Sequence, residues 1–138
     1  MSDIDVLCIG DLDVDMFISV PSIPGFDQKV AGLNHGQKPG GMAANAAVAI
    51  ARFGLKSRLI SAVGNDSAGT FAVAEIGREG VDLGFLSRRA GMETFMCVVL
   101  ISPSGEKSLI KLETDAYLPS VAHLHDGAFA RVRHVHLT

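Results

Sequence analysis

The chain has 138 residues, 48% hydrophobic and 20% charged, with a formal net charge of -3. That is the size and make-up of one globular domain able to bury a core, and with no run of Lys or Arg it gives a nucleic acid or an anionic membrane surface no footing as partner. No unbroken apolar segment, Ala46 to Ala51 among them, comes near the roughly 20 residues that a membrane helix needs.

The acidic start "MSDID" lacks the basic region of a signal peptide, so a cytoplasmic location is expected. "DVLCIGDLDVDMFISV" reads as a strand, an acidic stretch and a second strand, and "PSIPGFDQ" as a turn. "KVAGLNHGQK", residues 29–38, is polar and glycine-dotted, more like an exposed flap than core. A helix then runs from near Gly41 to Gly54, with Arg52 placed where a cation suits the helix dipole. "SRLISAVG" is the next buried strand, and "NDSAGTFAVAEIGREG" a second helix capped by Asp66 or Ser67. "VDLGFL" reads as a short strand, and "TFMCVVLISPSGEKSLIKLE" as a β-hairpin about Pro103-Ser104-Gly105. "RVRHVHLT" is a last strand. The βα alternation predicts an α/β fold, a mainly parallel sheet flanked by helices. Because such a sheet normally carries each strand on into a loop and helix, the chain is expected to be the amino-terminal part of something longer.

Asp11, Asp13 and Asp15 alternate directly after a buried strand, so in extended backbone their carboxylates share one side, at the strand end where open α/β sheets bind ligands. A calcium loop counted from Asp11 would need Gly and Glu where Met16 and Ser22 stand. A two-acid divalent-metal site and a solvated acidic turn stay open beside the preferred reading, polyol binding, in which one carboxylate accepts hydrogen bonds from two neighbouring hydroxyls. Gly40 and Gly41 either turn the chain into the helix or let a ligand approach its backbone. Asn45 is the one amide among Ala43, Ala44, Ala46 and Ala47. Buried without partners it would cost roughly 1 to 3 kcal/mol, which implies a ligand or an acidic neighbour such as Asp15. Cys8 and Cys97 sit inside apolar runs and are expected to be buried thiols. His123, His125, His134 and His136 form two HxH pairs without an acidic or thiol ligand to complete a coordination set, so no metal ligand is assigned. Neither GxxxxGK[ST] nor a strand followed by G-x-G-x-x-G occurs.

"GGMAANAAVAIARFG" followed by "LISAVGNDSAG" resembles the amino-terminal signature of the PfkB carbohydrate kinases, whose fold is ribokinase-like. "CIGDLDVD" resembles that family's first strand and sugar-binding turn, "PGFDQKVAG" the entry to its lid, and "TFMCVVLISPSGEKSLI" its second lid segment, so the resemblance spans essentially the whole chain. It implies that Asp15 and Asp13 bind the sugar, that Gly40, Gly41 and Asn45 contact its hydroxyls, and that Cys97 and Leu109 lie on lid segments covering it. Thr138 falls near where some members place an acidic sugar ligand, and Met42 where some place a lysine. Gly64, Asp66 and Gly69 match a second turn of the family pattern and read as structural.

The resemblance therefore implies one ribokinase-like domain's amino-terminal part over 1–138, with a small projecting β lid from segments 29–38 and 94–110, and with the carboxyl-terminal ATP-binding part absent from this chain. The implied activity is ATP-dependent phosphorylation of a sugar, nucleoside or related polyol, with Mg and ATP as cofactors and a homodimer formed through the lid. No catalytic base, cofactor-binding residue or metal ligand is assigned within the chain, which on this reading is inactive alone. The alternatives are a non-catalytic small-molecule binding or dimerisation module and an unrelated divalent-metal enzyme using the DxD pair.

Overall fold

Leu7 and Cys8 are adjacent in the first strand and both fully buried, which requires cover on both faces of the sheet that holds them. The computed structural model, which describes residues 3–138, supplies that cover. Its elements run β1 (Ile4–Ile9), β2 (Asp13–Ser19), β3 (Leu33–Gly40), α1 (Met42–Arg52), β4 (Ser57–Ile60), β5 (Ala62–Gly64), α2 (Ser67–Arg78), β6 (Ser87–Arg89), β7 (Met96–Ile101), β8 (Lys107–Leu112), a 3-10 turn (Val121–His123), α3 (Asp126–Phe129) and β9 (Val132–Leu137). β1 lies between β4 and β9 and is parallel to both. Cys8 packs with Ala43, Ala44 and Ala47 of α1 and with Ala72 and Ile76 of α2 on one side. Leu7 and Ile9 pack with Ile60 and Ala128 on the other. The alanines are what let α1 approach the sheet closely.

A second sheet has the order β3-β2-β7-β8. β2 pairs with β7 in parallel, whereas β3 pairs antiparallel with β2 and β8 antiparallel with β7. The two expected lid segments thus flank β2, which belongs to the same sheet, and the first lid strand spans Leu33–Gly40, leaving 29–32 outside it. The hairpin about Pro103-Ser104-Gly105 is present. No helix among the described residues is long and apolar enough to cross a membrane.

Two details depart from the sequence reading. "SRLISAVG" is interrupted at Ser61, so that β4 pairs with β1 while β5 pairs with β6. "VDLGFL" is not a strand: Asp82 makes an isolated bridge to Arg58, then its Oδ1 accepts a hydrogen bond from the Gly84 amide at 2.9 Å and turns the chain. The strand comes later, at Ser87–Arg89.

Candidate functional site

The turn between β1 and β2 brings the acidic stretch to the start of α1. Asp11 faces the helix: its Oδ1 accepts from the Ala43 amide at 3.1 Å and its carbonyl from the Ala44 amide at 3.2 Å. Since the residue at the helix's own N-cap position, Gly41, has no side chain to offer, Asp11 satisfies amides that would otherwise be orphaned. Asp11 is therefore a remote cap, and only Asp13 and Asp15 of the three acids lie on β2.

Those two point to one face of the second sheet, where Asp13 sits opposite Gly40 and Asp15 between Lys38 on β3 and Cys97 on β7. A Cβ at Gly40 would collide with Asp13 Oδ1 and lie 2.5 Å from Asp15 Oδ2, so the absence of a side chain there is what allows the carboxylates their positions. Gly41 has a φ of +103°, and a Cβ on it would lie 2.5 Å from the Asp11 carbonyl oxygen. The double glycine thus has two separate causes: room for a carboxylate pair, then a helix entry that L side chains avoid.

Asp13 is only 5% exposed, and its Oδ1 is buried with no hydrogen-bond partner. Burial, and then the charges of Asp15 and Asp11, push its carboxyl up to about 7, with Lys111 opposing. Burial also raises Asp15. Cys97 is buried, and burial followed by the field of Asp13 and Asp15 raises its thiol. Ligand atoms of Asp13, Asp15 and Cys97 all lie within 4.8 Å of one another.

Asn45 departs from the expected arrangement. It is exposed, in a shallow depression also lined by Lys38, Pro39, Val48, Glu75 and Glu79, so the cost of an unpaired buried amide does not arise. Its backbone N–H donates to the Gly41 carbonyl at 2.9 Å in the first helical turn. Leu109, 59% exposed, lies on the acid-bearing face one cross-strand row from Asp15, in the row of Phe17 and Val99. Phe95, Cys97 and Val99 form an apolar floor on that face with Phe17, Ile101 and Tyr117. Thr138 sits at the carboxyl end of β9, where its N–H donates to the Ile9 carbonyl at 3.2 Å. A Cβ on Gly10 would lie 2.5 Å from Thr138 Oγ1 and 2.9 Å from Ala43 Cβ, so Thr138 borders the entry to α1 rather than the acid pair. Met42, the first residue of α1, is exposed. Sequence reasoning missed Lys38 and Lys111, which flank the pair in the rows of β3 and β8; only strand register could have found them. Lys111 Nζ is 3.1 Å from Glu113 and 5.9 Å from the Phe95 ring centroid, and Lys38 Nζ is 5.8 Å from that of Phe17.

The second turn is structural. Asp66 caps α2 by accepting from the Gly69 amide at 2.8 Å, and also accepts from the Thr94 amide at 2.8 Å and from Thr94 Oγ1 at 2.6 Å. Thr94 Oγ1 in turn accepts from the Gly64 amide at 3.0 Å, which ties β5, α2 and the start of β7 together.

The chain is similar over 102 residues to a ribokinase from Haemophilus influenzae, at 32% identity, covering 74% of this chain and 33% of that protein. Among solved structures, a fructokinase from Xylella fastidiosa with bound ATP superposes with a TM-score of 0.77 at 27% identity, covering 99% of this chain and 42% of that one. A ribokinase from Giardia lamblia superposes at 0.83 with 19% identity, covering 99% and 42%, a likeness of fold alone. The ribokinase-like α/β class is thereby borne out, and the chain spans less than half the length of these proteins. With the model of the pfkB family carbohydrate kinases matching residues 3–138, the chain belongs to that family.

Proposed function

We propose that this chain holds the acceptor side of an ATP-dependent carbohydrate kinase, binding a sugar, nucleoside or similar polyol at Asp13 and Asp15 with the face of the β3-β2-β7-β8 sheet as a lid. The observation that carries the reading is Asp13, 95% buried with an unpartnered Oδ1 beside a second carboxylate and the bare backbone of Gly40. An unpartnered buried oxygen costs roughly 1 to 3 kcal/mol, which vicinal hydroxyls donating to it would recover. The apolar floor of Phe95, Cys97 and Val99 suits the C–H faces of a sugar ring. Gly41 and Asn45 at the helix entry, Leu109 on the lid and Thr138 at the end of β9 are the further contacts of this reading. The relatives named ribokinase and fructokinase support a pentose or hexose.

The pair does not fit the nucleotide. Two half-to-fully buried carboxylates, one of which already raises the proton affinity of the other, would repel a triphosphate, and neither Lys38 nor Lys111 is turned onto them. ATP would supply the phosphoryl group and Mg would neutralise its charge, and on this reading both are held by residues outside this chain. What these residues do is bind, orient and shield the acceptor hydroxyl. A cytoplasmic location, where ATP is present, goes with this role.

Titration calorimetry of the chain against pentoses, hexoses and nucleosides tests the assignment. Asp15→Ala is expected to weaken binding about tenfold to a hundredfold, because hydrogen bonds to a charged group are worth roughly 1.5 to 3 kcal/mol. Unchanged affinity would sink it. The same chain with Mg-ATP is expected to form no sugar phosphate detectable by mass spectrometry, and turnover would refute the division of labour.

A further inference from the structure

We propose that Asp13, Asp15 and Cys97 also form a site for a thiophilic divalent cation of zinc's class, which occupies the acid pair in place of the polyol. Two carboxylates alone would not argue this. The second observation is that Asp13 is 95% buried with its Oδ1 unpartnered, and that one oxygen of this carboxylate lies within 4.8 Å of the Cys97 sulfur. Asp15 and Cys97 are directly opposite each other on the parallel strands β2 and β7, so the backbone register fixes carboxylate and thiol side by side. Gly40 closes the space from β3 with main chain only, leaving volume that any Cβ would fill.

The donor chemistry selects the metal. A sulfur ligand disfavours Mg and Ca, whereas Zn accepts one thiolate and two carboxylates with water in its fourth position. Bond lengths of about 2.3 Å to sulfur and about 2.0 to 2.2 Å to oxygen put neighbouring ligand atoms of a tetrahedral site within about 4 Å, so atoms now up to 4.8 Å apart need only small side-chain rotations. Coordination displaces the Cys97 proton, and the Asp13 proton where present, to solvent. The nearby cations do not hold the ligands in ion pairs: Lys111 engages Glu113 at 3.1 Å, and Lys38 lies over Phe17. Cys8, fully buried in the other sheet, has no part in the site.

The metal site stands on these residues alone; its competition with a sugar rests on the function proposed above. Cobalt(II), as a spectroscopic stand-in for zinc, is titrated into the chain and read by the thiolate charge-transfer band in the near ultraviolet. The band is expected to appear in the wild-type protein and to vanish in Cys97→Ser, which retains Cys8. Asp13→Asn is expected to weaken cobalt by at least the roughly 10- to 100-fold that even an outer-shell partner contributes. Far-ultraviolet circular dichroism checks that each variant is folded, and the two variants fail independently. No band, a band surviving Cys97→Ser, or unchanged affinity in Asp13→Asn would overturn the site. Excess ribose or fructose, whichever binds by calorimetry, should raise the cobalt concentration needed for half-saturation. A sugar that binds without doing so overturns the competition, and if no polyol binds while the band behaves as stated, the metal site stands and the polyol reading fails.

Discussion

Asp13 combines deep burial, two neighbouring carboxylates and a free oxygen, which makes it a cost to the fold that a ligand can offset. The effect on stability has a definite sign. A carboxyl that titrates near 3.8 unfolded and about 7 folded binds more protons in the native state between those values, so stability falls as pH rises through that window. The full effect is at most about 4 kcal/mol. Asp13→Asn, which keeps the shape and removes the charge, is expected to flatten the urea-unfolding midpoint between pH 4 and 8 and to raise it at pH 8, while sugar affinity drops. A midpoint that rises with pH equally in both proteins would show that Asp13 is ionised at little cost. Asp66 works in the opposite sense: burial raises it, but hydrogen bonds from Thr94 and Gly69 outweigh that and hold it below its ordinary value. Its contribution is present near neutrality and is lost as pH falls through the folded value.

At the scale of elements, α1 and α2 were legible because their signals are local: glycines at the ends of one, and an aspartate cap two residues past Gly64 for the other. The β7-β8 hairpin was legible from its turn residues. The break at Ser61, the loss of "VDLGFL" to an Asx turn and the pairing of β2 with β7 were not, because each depends on partners distant in the chain. The same holds within the site: acidic alternation pointed to Asp13 and Asp15, but nothing local separated Asp11, which turned to cap α1, or showed that Asn45 is solvent-facing. The Asp66–Thr94 link joins the start of α2 to the approach to β7 across 28 residues, so its removal tests how the elements are coupled. Asp66→Ala removes a cap worth about 1 kcal/mol and leaves the Thr94 amide unpaired at roughly 1 to 3 kcal/mol, and a loss of about 2 to 4 kcal/mol in urea unfolding is expected. A loss below 1 kcal/mol would mean that water replaces the carboxylate.

For the whole molecule, the two faces of the β3-β2-β7-β8 sheet differ. One bears the acid pair and its apolar floor; the other, by strand alternation, bears Met16, Val98 and Ile110 in one cross-strand row and Ile18 and Leu100 in the next. Ile110 is 51% exposed and Leu112, further along the same face, 50%. Residues of this kind in adjacent rows make a contiguous apolar patch, and β3 and β8 are both edge strands with free backbone groups. A second copy of the chain would cover both liabilities at once, and because a two-fold contact is self-complementary it needs no other partner. We therefore expect self-association through the lid. If the lid is the contact, a charge placed in the patch must oppose it: Ile110→Lys is expected to shift the light-scattering mass toward the monomer while leaving the circular dichroism unchanged, since the side chain is half exposed and outside the core clusters. A wild-type chain that scatters as a monomer at high concentration would overturn the expectation, and an unaltered oligomer in Ile110→Lys would move the contact elsewhere. The acid face is separated from the patch by one sheet's thickness, so the same variant should leave sugar affinity within about twofold unless the partner copy orders β3 and β8 over the ligand; a larger loss, tracking the monomer fraction, would identify dimerisation as what closes the lid.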